Sequence, residues 1–232
     1  ILQWKGTARP FDRAVEVGLR YYRICPERFI VKIPFTPAGL LATRRLSAAG
    51  VPVNHTLGFA ARQNYVAASL ASPTYVNVFL GRLNSFVADN GLGTGELVGE
   101  KATLASQRHV RELRKARHLP TGQIAASFRA GSQVRNLAGV DVMTMPPKVA
   151  GEFLNLGLSP EQIESRVDQD YDPPLQEGTD VGAVGLPTLW DVPQRVIDCV
   201  DAAAEADLGN FSPDELVDFF ATRECADLLV PW

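Results

Sequence analysis

A lysine stands inside an apolar run, Phe29-Ile30-Val31-Lys32-Ile33-Pro34. Burying an ammonium is costly unless it is paired or neutralised. Desolvation favours the neutral amine, and a neutral amine attacks a ketone to form a Schiff base. An edge-strand lysine whose head reaches water fits the same run, which alone leaves both readings open. Further on, PVNHTLG carries Asn54 and Thr56 on one strand face, because side chains two apart point the same way. An amide and a hydroxyl beside an amine can hold substrate hydroxyls or a catalytic water, or satisfy each other and the backbone. His55 lies between them and so faces outward, toward covering helices, as a structural histidine. Arg82 in FLGRLNSF follows one apolar run, and Ser127 and Arg129 in ASFRAGSQV end another. Any one of these arginines reads as a solvated ion pair. Two guanidiniums and a hydroxyl converging at one mouth would bind a phosphate, whose oxygens match arginine's planar fork.

The elements that must position these groups are legible as an alternation. Arg28–Pro34, Pro52–Gly58, Tyr75–Leu80, Gln123–Phe128 and Val140–Pro146 are short apolar runs bounded by Gly or Pro, the pattern of buried parallel strands. TPAGLLATRRLSAAG has helical spacing and stops at Gly50. Residues 60–72 and about 95–118 read as further helices, the second ending in a basic turn. ARPFDRAVEVGLRYYRICPE reads as one helix with Asp12 near its start. Strand–helix–strand repetition implies right-handed parallel crossovers and an α/β architecture. Lys32, Asn54, Thr56, Asn77, Ser127 and Arg129 all fall inside these runs or at their carboxyl ends. In a parallel α/β barrel that end carries the chemistry, and phosphate sites favour the loops of the last strands. After Pro147 comes the polar segment DQDYDPPLQEGTDVGAVGLP, then two helices near 190–206 and 212–223. The expected organisation is a partial α/β barrel over 1–153 and a helical C-terminal extension over 154–232 packed on it.

Composition excludes several classes. With 232 residues, 46% hydrophobic and 21% charged, the chain has the profile of a globular protein with a sizeable core. A formal net charge of -3 and the lack of a basic run give no case for nucleic acid. No apolar stretch has the length to span a membrane, and ILQWKGTARP lacks the pattern of a secretory signal. Cys25, Cys199 and Cys225 are odd in number and widely spaced, so neither a disulfide framework nor a metal motif is expected. His55, His109 and His118 are not spaced as a zinc pair. The expected compartment is the reducing cytoplasm.

Four segments in this order resemble the transaldolase family: RFIVKIPFTPAGL, VPVNHTLGFAARQ, YVNVFLGRLNSF and IAASFRAGSQVRNLAGVDVMTMPPKV. The resemblance runs from about Glu27 to Phe153. It implies a (β/α)8 TIM barrel whose Schiff-base lysine falls on Lys32. The family's asparagine and threonine on the next strand match Asn54 and Thr56. Its aromatic and glutamine at the following helix match Phe59 and Gln63, and its phosphate set matches Arg82, Ser127 and Arg129. It also implies transfer of a dihydroxyacetone unit between sugar phosphates, as in the pentose phosphate pathway. No metal or organic cofactor is implied, since the lysine supplies the electron sink. A homo-oligomer is compatible with all of this.

Two departures stand out. Where the family usually carries a serine two residues before the phenylalanine of its FVGR-like segment, this chain has Asn77 before Phe79. The family barrel also has three strands ahead of the lysine, bearing an aspartate acid–base residue, an asparagine and a glutamate. Only 31 residues precede Lys32 here, and they do not resemble those strands. The expectation is an N-terminally incomplete chain, because five parallel strands with a bare edge invite aggregation. The alternatives for function are a fructose-6-phosphate-type aldolase, a lyase, and a sugar-phosphate-binding paralogue without turnover.

Overall fold

The computed structural model describes residues 10–229. The opening ILQWKGTAR, with the expectation drawn from it and the start of the helix expected from Ala8, lies outside the described residues.

Among the described residues five strands form one sheet: β1 (Val31–Pro34), β2 (Val53–Thr56), β3 (Tyr75–Phe79), β4 (Gly122–Ala126) and β5 (Val142–Thr144). They lie side by side in chain order, and all pairs are parallel. Helix α1 (Pro10–Tyr22) precedes them. The connections are α2 (Pro37–Ala48), α3 (Ala61–Ala71), the pair α4 (Leu80–Asp89) and α5 (Val98–Arg117), and α6 (Gly131–Asn136), with α7 (Pro147–Leu154) after β5. Sequential parallel strands with a helix in every crossover are consecutive units of a (β/α) barrel, here a partial one. Helix α4 was not foreseen from the sequence. The run VNVFL passes into it with no Gly or Pro between, and Phe79 caps it without a side-chain hydrogen bond.

Register and alternation decide which side chains share a face. Lys32 pairs with Asn54, and His55 with Val76. Phe79 pairs with Ala126, which pairs with Thr144. Lys32, Asn54, Phe79, Ala126 and Thr144 share one face, and Val31, Ile33, Val53, His55, Val76, Val78 and Ala125 alternate with them and are buried against the helices. The start of α2 is fixed locally: Thr36 Oγ1 accepts from Gly39 N at 2.9 Å and proline opens the first turn.

The region after α7 contains a short α8 (Val181–Val184), then α9 (Gln194–Glu205) and α10 (Pro213–Ala221). Leu186 and Leu189 close over Val78, Leu83 and Val98 at the α4–α5 side. Val196, Val200, Leu216, Phe220 and Leu228 join one core with Leu40, Leu41, Val66 and Leu70 of α2 and α3. Among the described residues no helix is long and apolar enough to cross a membrane.

Candidate active site

The carboxyl ends of the strands open onto a cavity of about 300 Å³, at the lower end of the small-molecule range. Lys32, Asn54, Asn77, Phe79, Arg82, Ser127 and Arg129 all line it, together with Ile124, Ala126 and Thr144. All five described strands, the first turn of α4 and the loop after β4 thus converge on one space.

Lys32 is exposed, on the outermost strand of the described sheet. Of the two readings that the apolar run leaves open, this is the edge-strand lysine whose head reaches water. Its apolar neighbours Val31 and Ile33 face the helices, while the lysine faces the cavity, where its Nζ lies 6.0 Å from the centre of the Phe79 ring. Alternation hid this: an apolar run in sequence is only half apolar in space.

Asn77 ties the next two strands together. Its Nδ2 donates to Asn54 Oδ1 at 2.7 Å and to the His55 carbonyl at 3.2 Å, and its Oδ1 accepts from Thr56 Oγ1 at 3.4 Å. Thr56 shares the strand face of Asn54 but is covered, so it does not line the cavity and meets it only through Asn77. Gln63 is also buried. Its Oε1 accepts from Phe59 N at 2.9 Å and Ala60 N at 3.2 Å, closing the first turn of α3. Phe59 stands outside the lining and packs on Phe79, ring centres 5.8 Å apart.

His55 faces away from the cavity, as the alternation predicts. Its Nδ1 lies 2.9 Å from Thr43 Oγ1, and its ring meets Phe35 edge-on. Burial holds its pKa down at about 3, so the imidazole is neutral near pH 7.

Arg82 lies in the first turn of α4 and Arg129 follows β4. Both are exposed, with the Arg82 guanidinium 5.9 Å from the centre of the Phe79 ring. Ser127 between the strand and Arg129 has φ +69°, a left-handed conformation that costs a non-glycine residue of order 1 kcal/mol. The two arms touch at Gly81, where an added Cβ would lie 2.0 Å from the Ser127 carbonyl oxygen and 2.9 Å from Arg129 Cγ. Only glycine lets α4 approach the strand end so closely.

Among the described residues no carboxylate lines the cavity and no group of side chains is arranged to hold a metal ion. Asp12 pairs with Arg45 at 2.7 Å on the outer surface. Thr144 was missed from the sequence, although it is the polar residue in VMTM and two places after Val142 on the same face.

Parallel βα units in chain order are part of a (β/α)-barrel protein, and the candidate site lies at the strands' carboxyl ends, where such barrels carry theirs. A family model described as transaldolase/fructose-6-phosphate aldolase matches residues 7–183, and the chain belongs to that family. It is similar to a probable transaldolase of Thermus thermophilus, 38% identical over 150 residues, which is 64% of this chain and 60% of the relative. One from Hyphomonas neptunium is 34% identical over 157 residues, 67% of this chain and 66% of the relative. A third, from Nitrosopumilus maritimus, is 31% identical over 173 residues, 74% and 71% of the two chains. The chain therefore spans about three fifths of the length of the Thermus relative.

Proposed function

We propose that the chain carries the Schiff-base and phosphate-binding half of a transaldolase site, moving a dihydroxyacetone unit between sugar phosphates with Lys32 as nucleophile. One observation supports this above the rest: Lys32, the Asn54–Asn77 pair and the Arg82, Ser127 and Arg129 group line a single cavity. An amine at one end and a paired-guanidinium site at the other match a ketose phosphate, which carries its carbonyl and its phosphate at opposite ends.

In this reading the Lys32 amine adds to the ketone carbon, and water leaves to give an iminium. The bond beyond the next carbon then breaks, its electron pair flowing into the iminium to form an enamine while the adjacent hydroxyl loses its proton and becomes an aldehyde. The enamine adds to a second aldehyde, and hydrolysis frees the product and the lysine. Asn77 fixes Asn54 Oδ1, which leaves the Asn54 N–H groups for the hydroxyls of the bound three-carbon unit. Asn77 and Phe79 complete the wall beside it, with Phe59 behind and Gln63 holding that helix entry. The base that takes the hydroxyl proton is not assigned to any described residue.

Borohydride reduction in the presence of fructose 6-phosphate tests the reading. A stable adduct on the peptide containing Lys32 is expected. An adduct on Lys101 or Lys148, or none, refutes it. Release of free dihydroxyacetone with no acceptor aldehyde present would instead point to the aldolase reaction of the same family.

A further inference from the structure

The strand register orders the cavity's side chains along the strand direction. Lys32 pairs with Asn54 and Asn54 with Tyr75, which pairs with Gly122. Phe79 and Ala126 lie four residues farther along β3 and β4, on the same face, and Thr144 of β5 pairs with Ala126. At the rise of a strand, four residues carry the row about 13 Å toward the carboxyl ends. The four-carbon stem of Lys32 spans part of that length, and its Nζ lies 6.0 Å from the centre of the Phe79 ring. Ser127 and Arg129 follow directly on Ala126, and Arg82 follows Phe79 by three residues. The row Phe79–Ala126–Thr144 therefore divides the lysine's end of the cavity from the end that carries the arginines.

That row is uneven. Its outer members, a ring and a hydroxyl, stand two strand spacings apart, about 10 Å. The middle member is only the methyl of Ala126. A carbon chain crossing the row has room above Ala126, with Phe79 on one side and Thr144 on the other. Thr144 is exposed and lines the cavity. Among the described residues its hydroxyl meets no hydrogen-bond partner. The amides nearer the lysine differ, for Asn77 spends its N–H groups on Asn54 Oδ1 and the His55 carbonyl. Thr144 thus brings an uncommitted donor and acceptor to this level of the cavity.

A ketose phosphate laid from Lys32 to the arginines has one hydroxyl left over. Those beside the carbonyl fall to Asn54, the next loses its proton on cleavage, and the phosphate belongs to Arg82, Ser127 and Arg129. The remaining hydroxyl sits on the carbon next to the phosphate-bearing carbon, at the level just before Ser127. Cleavage leaves that hydroxyl on the aldehyde phosphate.

We propose that Thr144 is a specificity-determining residue, its hydroxyl binding the hydroxyl on the carbon next to the phosphate-bearing carbon. The same contact selects the aldehyde phosphate that accepts the three-carbon unit. This rests on the reading of the cavity as a ketose phosphate site with Lys32 as nucleophile.

The test removes each partner of the contact in turn. Borohydride trapping on the Lys32 peptide of the full chain is followed against the concentration of fructose 6-phosphate or 5-deoxyfructose 6-phosphate. Wild type should half-saturate at about three- to tenfold lower concentration with the hydroxylated ketose, the range of one neutral hydrogen bond. Thr144→Val keeps the branched shape and should take the two ketoses within about twofold of each other. Thr144→Ser restores the hydroxyl and should restore the preference. Trapping of plain dihydroxyacetone should be the same in all three proteins. A wild type indifferent to the missing hydroxyl, a valine variant that keeps the preference, or a serine variant that lacks it would each overturn the proposal. So would a valine variant that loses equally on both ketoses, which would make Thr144 a phosphate contact or a packing residue. Should Thr144→Val fail to fold, Thr144→Ala makes the same comparison. If wild type forms the Lys32 adduct and the Thr144 variants leave the ratio unmoved, only the specificity role falls. If wild type forms no adduct with fructose 6-phosphate, the ketose phosphate reading falls and takes this one with it.

Discussion

Asn77 donates its side-chain amide to Asn54 Oδ1 at 2.7 Å, across two neighbouring parallel strands. At the position where the transaldolase family usually carries serine, this chain thus has a longer group that reaches sideways and immobilises the asparagine beside Lys32. Thr56 lies behind it, with its hydroxyl 3.4 Å from Asn77 Oδ1. The three side chains form one relay, in which Asn54 and Asn77 face the cavity and Thr56 does not.

Thr56→Val tests that relay while preserving branched shape and strand preference. It removes the donor from a buried amide oxygen, a loss worth about 1–3 kcal/mol. Turnover should fall several-fold with little change in KM, because Asn77 then loses its fixed orientation when it matters most, in the transition state. Steady-state kinetics check this, and a valine variant with normal kcat would leave Thr56 as packing only.

Arg82→Ala and Arg129→Ala should each weaken phosphorylated ketoses by about tenfold to a hundredfold, the range of a charge-assisted contact of ~1.5–3 kcal/mol. Trapping of free dihydroxyacetone should not change. Equal losses on both substrates would assign the arginines to structure.

Gly81→Ala forces a methyl against the Ser127 carbonyl, which backbone cannot yield cheaply. Either α4 or the Ser127 turn must move. The expected result is a lower melting temperature together with a raised KM for phosphorylated substrate, the second being the diagnostic part. An alanine variant with unchanged KM would show that the two arms tolerate displacement.

His55 gives a pH signature. Its pKa is about 3 in the fold, against about 6.5 for a free histidine. Between those values the unfolded chain binds a proton that the folded chain does not. Stability therefore falls as pH drops below about 6.5, by at most ~1.4 kcal/mol per pH unit. Above that range the term vanishes. His55→Gln, which keeps a polar partner for Thr43, should show a flatter dependence of melting temperature between pH 6.5 and 5. Parallel slopes for the two proteins would mean that the imidazole is not the group responsible.

The fold was largely legible because its signals are local. Each strand of the sheet is a short apolar run with clear punctuation, and the helices over 37–48, 61–71 and 98–117 lie within the stretches read from periodicity. Helix α4 was not legible, since nothing separates it from β3. In the site, Lys32, Asn54 and the arginines could be found because polar residues in or after apolar runs are conspicuous. Their burial could not be judged. Lys32, for which the run left burial and exposure both open, is exposed, and Thr56 and Gln63 hydrogen-bond Asn77 and the start of α3. Glu100, on α5, had no signal at all: in VGEKATL it looks like any acid in a first helical turn, and only tertiary packing buries it and gives it the Asn84 amide of α4 as a partner.

The shared core of α2 and α3 with α9 and α10 has a consequence for how the protein is made. Leu40, Leu41, Val66 and Leu70 are covered by Leu216, Phe220 and Leu228, which leave the ribosome long after the lysine-bearing strand. Until then the outer side of α2 and α3 is bare, so the nascent chain carries a sticky surface from the emergence of α3 to that of α10. A stop codon before α10 would therefore produce a chaperone client, even though every described cavity-lining residue had already been translated.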